Sequence, residues 1–159
     1  MIPASVTFSG YTVLLAVHIL AAVLWVGGGA TLHAMGRMAE KSGDRNRMNQ
    51  FSIDAAFLGP RFYGPLSIVL LAVAIPLVDK AGYDMSDLWV SIGFTVWIIS
   101  FLLGTLYYSR ADKRRAAIVA SEGVESEGFL AGYHQVARVN TIELTLLLLV
   151  VIDMAIKPT

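Results

Sequence analysis

Four long apolar runs, each almost free of charged side chains, limit what this chain can become more than any other feature. A hydrocarbon core about 30 Å thick asks for roughly 20 apolar residues in a helix that crosses it. The runs extend from about Tyr11 to Met35, Ile53 to Val78, Leu88 to Tyr108 and Val139 to Ile156. None shows the strict alternation of a membrane strand, and backbone groups in lipid must be satisfied within their own segment, so helices are expected. The 159 residues fit one domain, 1–159: an all-α bundle of four transmembrane helices. No lysine or arginine precedes the first run, which is also too long for the apolar part of a signal peptide, so it is expected to remain in the protein.

Orientation follows from the basic residues of the connections. The first connection carries Arg37, Lys41, Arg45 and Arg47, and the third carries Arg110, Lys113, Arg114, Arg115 and Arg138. The second has only Lys80, beside Asp79, Asp84 and Asp87. Connections one and three are therefore expected in the cytoplasm. The N-terminus, the second connection and the C-terminal Lys157-Pro158-Thr159 are expected outside. Trp89, Tyr107 and Tyr108 sit where interfacial aromatic belts form. The basic stretch Ser109–Ser121 is composed of helix formers and is followed by a turn with Glu122, Glu125 and Glu127 between Gly123 and Gly128. It predicts a cytoplasmic helical hairpin between helices three and four, with the fourth beginning near Phe129. That hairpin is either a solvated extension or a docking face for a membrane-complex partner.

Composition excludes several classes of function. Twelve basic residues balance twelve acidic ones, which gives no global charge for nucleic acid. The absence of cysteine removes disulfides, thiolate metal sites and cysteine nucleophiles. No nucleophile–base set, phosphate loop or zinc-binding histidine–carboxylate motif marks an enzyme.

Ionisable side chains inside the spans need protein or water around them. His18, His33, Arg61, Glu143 and Asp153 qualify. Arg61 and Glu143 carry opposite charge at similar depth, so a structural ion pair is expected, or a pair lining a proton or anion path. Asp153 is near enough to the outer end to reach water. His18 lies roughly 10 Å into the first span. It shares a helical stripe with Ala22, Trp25 and Gly29, while Gly27, Gly28, Gly29 and Ala30 let another helix come close. It is either a buried histidine hydrogen-bonded to a neighbouring helix or a ligand to haem iron or copper, with Asp153 orienting its second nitrogen. His33 is roughly 22 Å further along the same helix, too far to share a metal. The two prolines of Gly59-Pro60-Arg61-Phe62-Tyr63-Gly64-Pro65 predict a kink that either frees carbonyls to line a cavity or only shapes packing.

The stretch Val17-His18-Ile19-Leu20-Ala21-Ala22-Val23-Leu24-Trp25-Val26-Gly27-Gly28-Gly29, with the closing Leu146–Val151 run and Met154-Ala155-Ile156-Lys157-Pro158, resembles a family of bacterial integral membrane proteins. The core of that family is similar to the copper-resistance-D-like superfamily, whose relatives include a haem b-binding membrane protoporphyrinogen oxidase. The resemblance implies four helices in a bacterial inner membrane and a histidine, His18, available for haem b or copper; Trp25, on the same stripe, adds a flat surface suited to packing beside a macrocycle. Where the copper branch would have several outer methionines and histidines, only Met85 and Met154 stand, and a second histidine does not map. Only His18 is carried over. The functions it leaves open are a haem b-binding or redox-linked protein, a cofactor-free accessory subunit of a membrane complex, and a copper or small-solute carrier. Association with copies of itself is expected, because four short helices bury little surface.

Overall fold

The computed structural model describes residues 9–157, and the terminal residues 1–8 and Pro158-Thr159 lie outside this range. Within it the chain forms four long helices: α1 (Gly10–Lys41), α2 (Arg45–Lys80), α3 (Leu88–Glu122) and α4 (Glu127–Ile156). They stand in a ring. α1 packs along α2 and along α4, α3 packs along α4, and α2 and α3 meet more sparsely. α2 and α4 are therefore diagonal, as are α1 and α3.

The helices begin and end where the sequence supplies caps. Ser9 Oγ accepts from the Thr12 amide at 3.1 Å. Asp44 accepts from Asn46 and Arg47 at 2.9 and 3.2 Å, and Ser126 from Phe129 at 3.2 Å. Such caps satisfy amides that have no partner within the helix. The connection from α1 to α2 is only Ser42-Gly43-Asp44, with Gly43 at φ +70°. The first two apolar runs are thus followed and preceded by helix rather than by a long loop. α4 starts two residues before the position expected from sequence.

These extensions all leave the bundle at the same end and pack into a second, polar layer. Ala39, Met48, Phe129 and Tyr133 are buried there against Phe51, Ile118, Val119 and Leu130. Tyr133 donates to the Gly36 carbonyl at 2.7 Å, and burial pushes its hydroxyl up to about 12, so it stays a donor. Arg45 joins the two turns at this end: its guanidinium donates to the carbonyl of Ser126 at 2.9 Å and to Glu127 at 2.9 Å. Arg115 of α3 donates to Asn49 of α2 at 2.6 Å.

The other layer is built for lipid. The most apolar stretch of α1 has a mean hydropathy of 2.1, yet only 6% of it is buried. Leu20, Val23, Ile142 and Leu149 point outward, each more than half exposed. An outward apolar face of that extent is expected of a surface solvated by hydrocarbon. Inside, Ala21, Trp25, Leu70, Val96, Leu147 and Val150 fill the centre. At the far end Lys157 donates to the Tyr83 hydroxyl at 2.8 Å, with its ammonium 4.6 Å from the Tyr83 ring and 5.4 Å from that of Trp89. This cation–π clasp ties the end of α4 to the α2–α3 connection.

Candidate functional site

α2 and α3 each widen inside the lipid layer into one π-helical stretch, Gly59–Tyr63 and Leu103–Tyr108. In α2 the cause is legible locally. Pro60 and Pro65 lack amide hydrogens, and the Gly64 amide reaches back to Gly59, five residues earlier. In α3 no proline is involved. Instead Thr105 donates to the Phe101 carbonyl at 2.8 Å and Ser109 to that of Thr105 at 2.6 Å, so hydroxyls satisfy carbonyls around the widened turn. Single π turns inside α-helices are frequent at functional sites.

The inter-helix contacts place these turns together. Gly28 and Gly36 of α1 meet Tyr63 and Phe51 of α2, Trp97 of α3 donates to Ser67 of α2, and Gly93 of α3 meets Met154 of α4. Tyr108 of α3 reaches Glu143, and Asn140 of α4 reaches His33 of α1. Counting along each helix from these pairs, Gly29, Pro60, Gly104 and Glu143 fall within about one turn of a common level. This waist combines both π turns, the glycine run of α1 and a half-buried carboxylate.

A polar cluster lies at the waist and just below it. The Tyr108 hydroxyl donates to Glu143 Oε2 at 2.6 Å. The Asn140 side chain lies beside that hydroxyl, and its oxygen is 2.9 Å from His33 Nδ1. With Asn140 presenting an oxygen, Nδ1 carries the hydrogen and Nε2 is the proton-accepting nitrogen of His33. Ser100 faces Glu143 from α3, but its buried hydroxyl makes no hydrogen bond. Side chains of α1, α3 and α4 thus form a chain that ends at Glu143, which is bonded by the neutral Tyr108 hydroxyl and by no cation among the described residues.

The ion pair expected between Arg61 and Glu143 does not form, because α2 and α4 are diagonal. Arg61 is exposed on α2, with its guanidinium 4.0 Å above the Phe57 ring and 3.4 Å from the Phe57 carbonyl. Phe57 is one turn nearer the polar layer, so Arg61 extends toward water. Tyr108, expected as an interface anchor, turns inward instead.

His18 stands beside the Leu70 carbonyl, and its Nδ1 is buried without a hydrogen-bond partner. Asp153 Oδ2 is likewise buried and unpartnered. From the α1–α4 contacts the two residues are at about one level, but they do not pair, so the expected orientation of His18 by Asp153 is not seen. Trp25 is packed into the core among Ala21, Leu70, Val96 and Leu147, and offers no free face. The site at His18 presents a single imidazole. Among the described residues no three His, Asp or Glu side chains are grouped to hold a metal ion. His134, given no role from sequence, has Nε2 3.2 Å from Glu40 Oε1 in the polar layer.

A family model described as a predicted integral membrane protein, DUF2269, matches residues 12–158, and the chain belongs to that family. No curated protein and no solved structure matches it.

Proposed function

We propose that this member of the DUF2269 family moves protons within the membrane, with Glu143 as the internal acceptor and the polar layer facing the cytoplasm. The observation that carries the reading is a chain of side chains, His33 to Asn140 to Tyr108, that ends on the Glu143 carboxylate, which has no cation bonded to it among the described residues. Intramembrane ionisable groups that are not neutralised by a fixed partner mark proton relays and ion paths. His33 is the entry: its Nε2 takes a proton near the polar layer, and Asn140 holds the ring in place. The Tyr108 hydroxyl stabilises Glu143 when it is ionised, and Ser100 faces it with a hydroxyl that is free to turn toward it. Toward the other side, the unpartnered atoms of His18 and Asp153 form an outer station, separated from Glu143 by the apolar plug of Trp25, Leu147 and Val150. Basic residues on the helical extensions of the polar layer, Arg37, Lys41, Arg45 and Arg47 around the first turn and Arg110, Lys113, Arg114 and Arg115 before the second, support its cytoplasmic placement and a bacterial inner-membrane location.

The test is proton flux into liposomes that hold the purified protein and a trapped pH dye, driven by a potassium diffusion potential. The wild type should dissipate the gradient, and Glu143→Gln should return the rate to that of protein-free liposomes. A wild-type rate equal to empty liposomes, or a Glu143→Gln rate equal to wild type, refutes the reading. A haem b or copper ion held by His18 is the second reading, supported by the unpartnered Nδ1 and the helix-one resemblance. A Soret band or bound copper in purified protein, lost in His18→Ala, would favour it. A cofactor-free accessory subunit would show neither flux nor cofactor.

A further inference from the structure

A groove of about 300 Å³ opens between α1 and α4 where the polar layer begins, lined by Arg37, Glu40, His134, Ala137, Arg138 and Thr141. We infer that it binds a phosphate monoanion, and specifically the headgroup of an anionic lipid. The inference is independent of proton movement at Glu143.

Charge and geometry both point to an anion. Glu40 accepts from Arg37 and lies 3.2 Å from His134, so its two oxygens are engaged by residues lining the groove. It fixes the two cationic or donor groups in place without closing the site. The Arg37 side chain is half exposed, which leaves outward N–H groups free. Arg138 is exposed and makes no hydrogen bond or ion pair among the described residues. One free guanidinium, Arg138, and the N–H groups that Arg37 does not give to Glu40 suit a phosphate better than any neutral ligand.

The surroundings favour lipid over free phosphate. One turn above Arg138 and next to Thr141, Ile142 is 63% exposed, and Leu149 continues the same outward apolar surface at 54%. A headgroup in the groove therefore has lipid-facing side chains for its acyl chains, at the depth where headgroups lie. Basic pockets between transmembrane helices at the cytoplasmic boundary are a recurring form of headgroup site.

The experiment uses the full chain, purified in detergent and titrated with phosphatidylglycerol, phosphatidylcholine or inorganic phosphate, with adducts followed by native mass spectrometry. Phosphatidylglycerol should be retained in preference to phosphatidylcholine. Arg138→Gln, at an exposed unpaired position, should weaken that retention about fivefold, as expected for one arginine near a headgroup. Arg114→Gln removes an equal charge from exposed α3 and should change nothing. Equal retention of the two lipids overturns the inference, as does an equal loss in Arg114→Gln. Displacement of phosphatidylglycerol by inorganic phosphate at comparable concentration would assign the groove to a soluble anion and overturn the lipid source.

Discussion

Replacing each glycine of the Gly27-Gly28-Gly29 run by alanine adds the same methyl to three successive positions of one helix, but the structure predicts different outcomes. A Cβ at Gly27 or Gly29 would meet nothing within 4 Å, whereas at Gly28 it would stand 2.8 Å from the Tyr63 hydroxyl and 3.4 Å from its ring. Tyr63 has little freedom to retreat. It sits in the π turn of α2, edge-to-face with Phe62 at 5.1 Å. Alanine in place of glycine favours a helix by roughly 1 kcal/mol, and overpacking costs about 1–3 kcal/mol. Gly27→Ala and Gly29→Ala should therefore be neutral or stabilising, and Gly28→Ala should fall below them by about 1–3 kcal/mol. At about 2–4 °C per kcal/mol for a chain of this size, the melting temperatures should separate by roughly 2–12 °C. Thermal unfolding in detergent, followed by circular dichroism, measures it. Removing the opposing hydroxyl, in Gly28→Ala with Tyr63→Phe, should restore much of the loss. If Gly28→Ala melts at or above Gly27→Ala, the close approach of α1 and α2 at the waist is wrong.

Other expectations are equally direct. Arg45→Ala removes the donor that joins the two turns of the polar layer, and should cost about 1.5–3 kcal/mol in the same unfolding assay. Tyr108→Phe should destabilise the protein while Glu143 is ionised, and a double-mutant cycle with Glu143→Gln should give a coupling above about 0.5 kcal/mol; additive losses would separate the two residues. Arg61→Gln should cost less than about 1 kcal/mol, since it forfeits a cation–π contact and no ion pair. Cysteines placed at Ser42 and Ser121 should resist impermeant thiol labels in intact cells while one at Asp84 reacts, and the reverse pattern would invert the topology.

The four helices were legible because membrane solvation imposes a length and a composition on each span, and both are visible without partners. The polar layer was only half legible. The charged stretch after Tyr108 reads as helix, but the six residues after Met35 and the eight before Ile53 look like a connection until Gly43 and the Asp44 cap are seen to turn the chain in three residues. The candidate site was least legible. Glu143 and His33 are conspicuous as charges in apolar runs, but Asn140, Ser100 and Tyr108 are ordinary residues that gain meaning from contact. Tyr108 in particular lies at the end of a π turn, where an extra residue per turn puts the faces above and below out of phase. Its place at the end of the third apolar run assigns it to the membrane surface instead.

That same phase shift bears on what the waist is for. A bundle selected only for stability has a simpler solution at the level of Glu143: an apolar side chain there would remove the cost of burying a carboxylate. Instead α2 and α3 both depart from regular hydrogen bonding at this level, α1 contributes three glycines, and Ser100 keeps a buried hydroxyl without a partner. Each departure weakens the bundle, and together they surround one ionisable group with adaptable neutral donors rather than a fixed cation. Such surroundings suit a group that changes charge, because hydroxyls can donate to a carboxylate and also accept from a carboxylic acid, whereas a guanidinium favours one state only. Arg61, the nearest candidate for a permanent counter-charge, is turned away over Phe57. The arrangement therefore argues for exchange of a proton at Glu143 rather than for a structural role, and Glu143→Gln, which keeps an acceptor for the Tyr108 hydroxyl, should abolish proton flux while the protein stays folded.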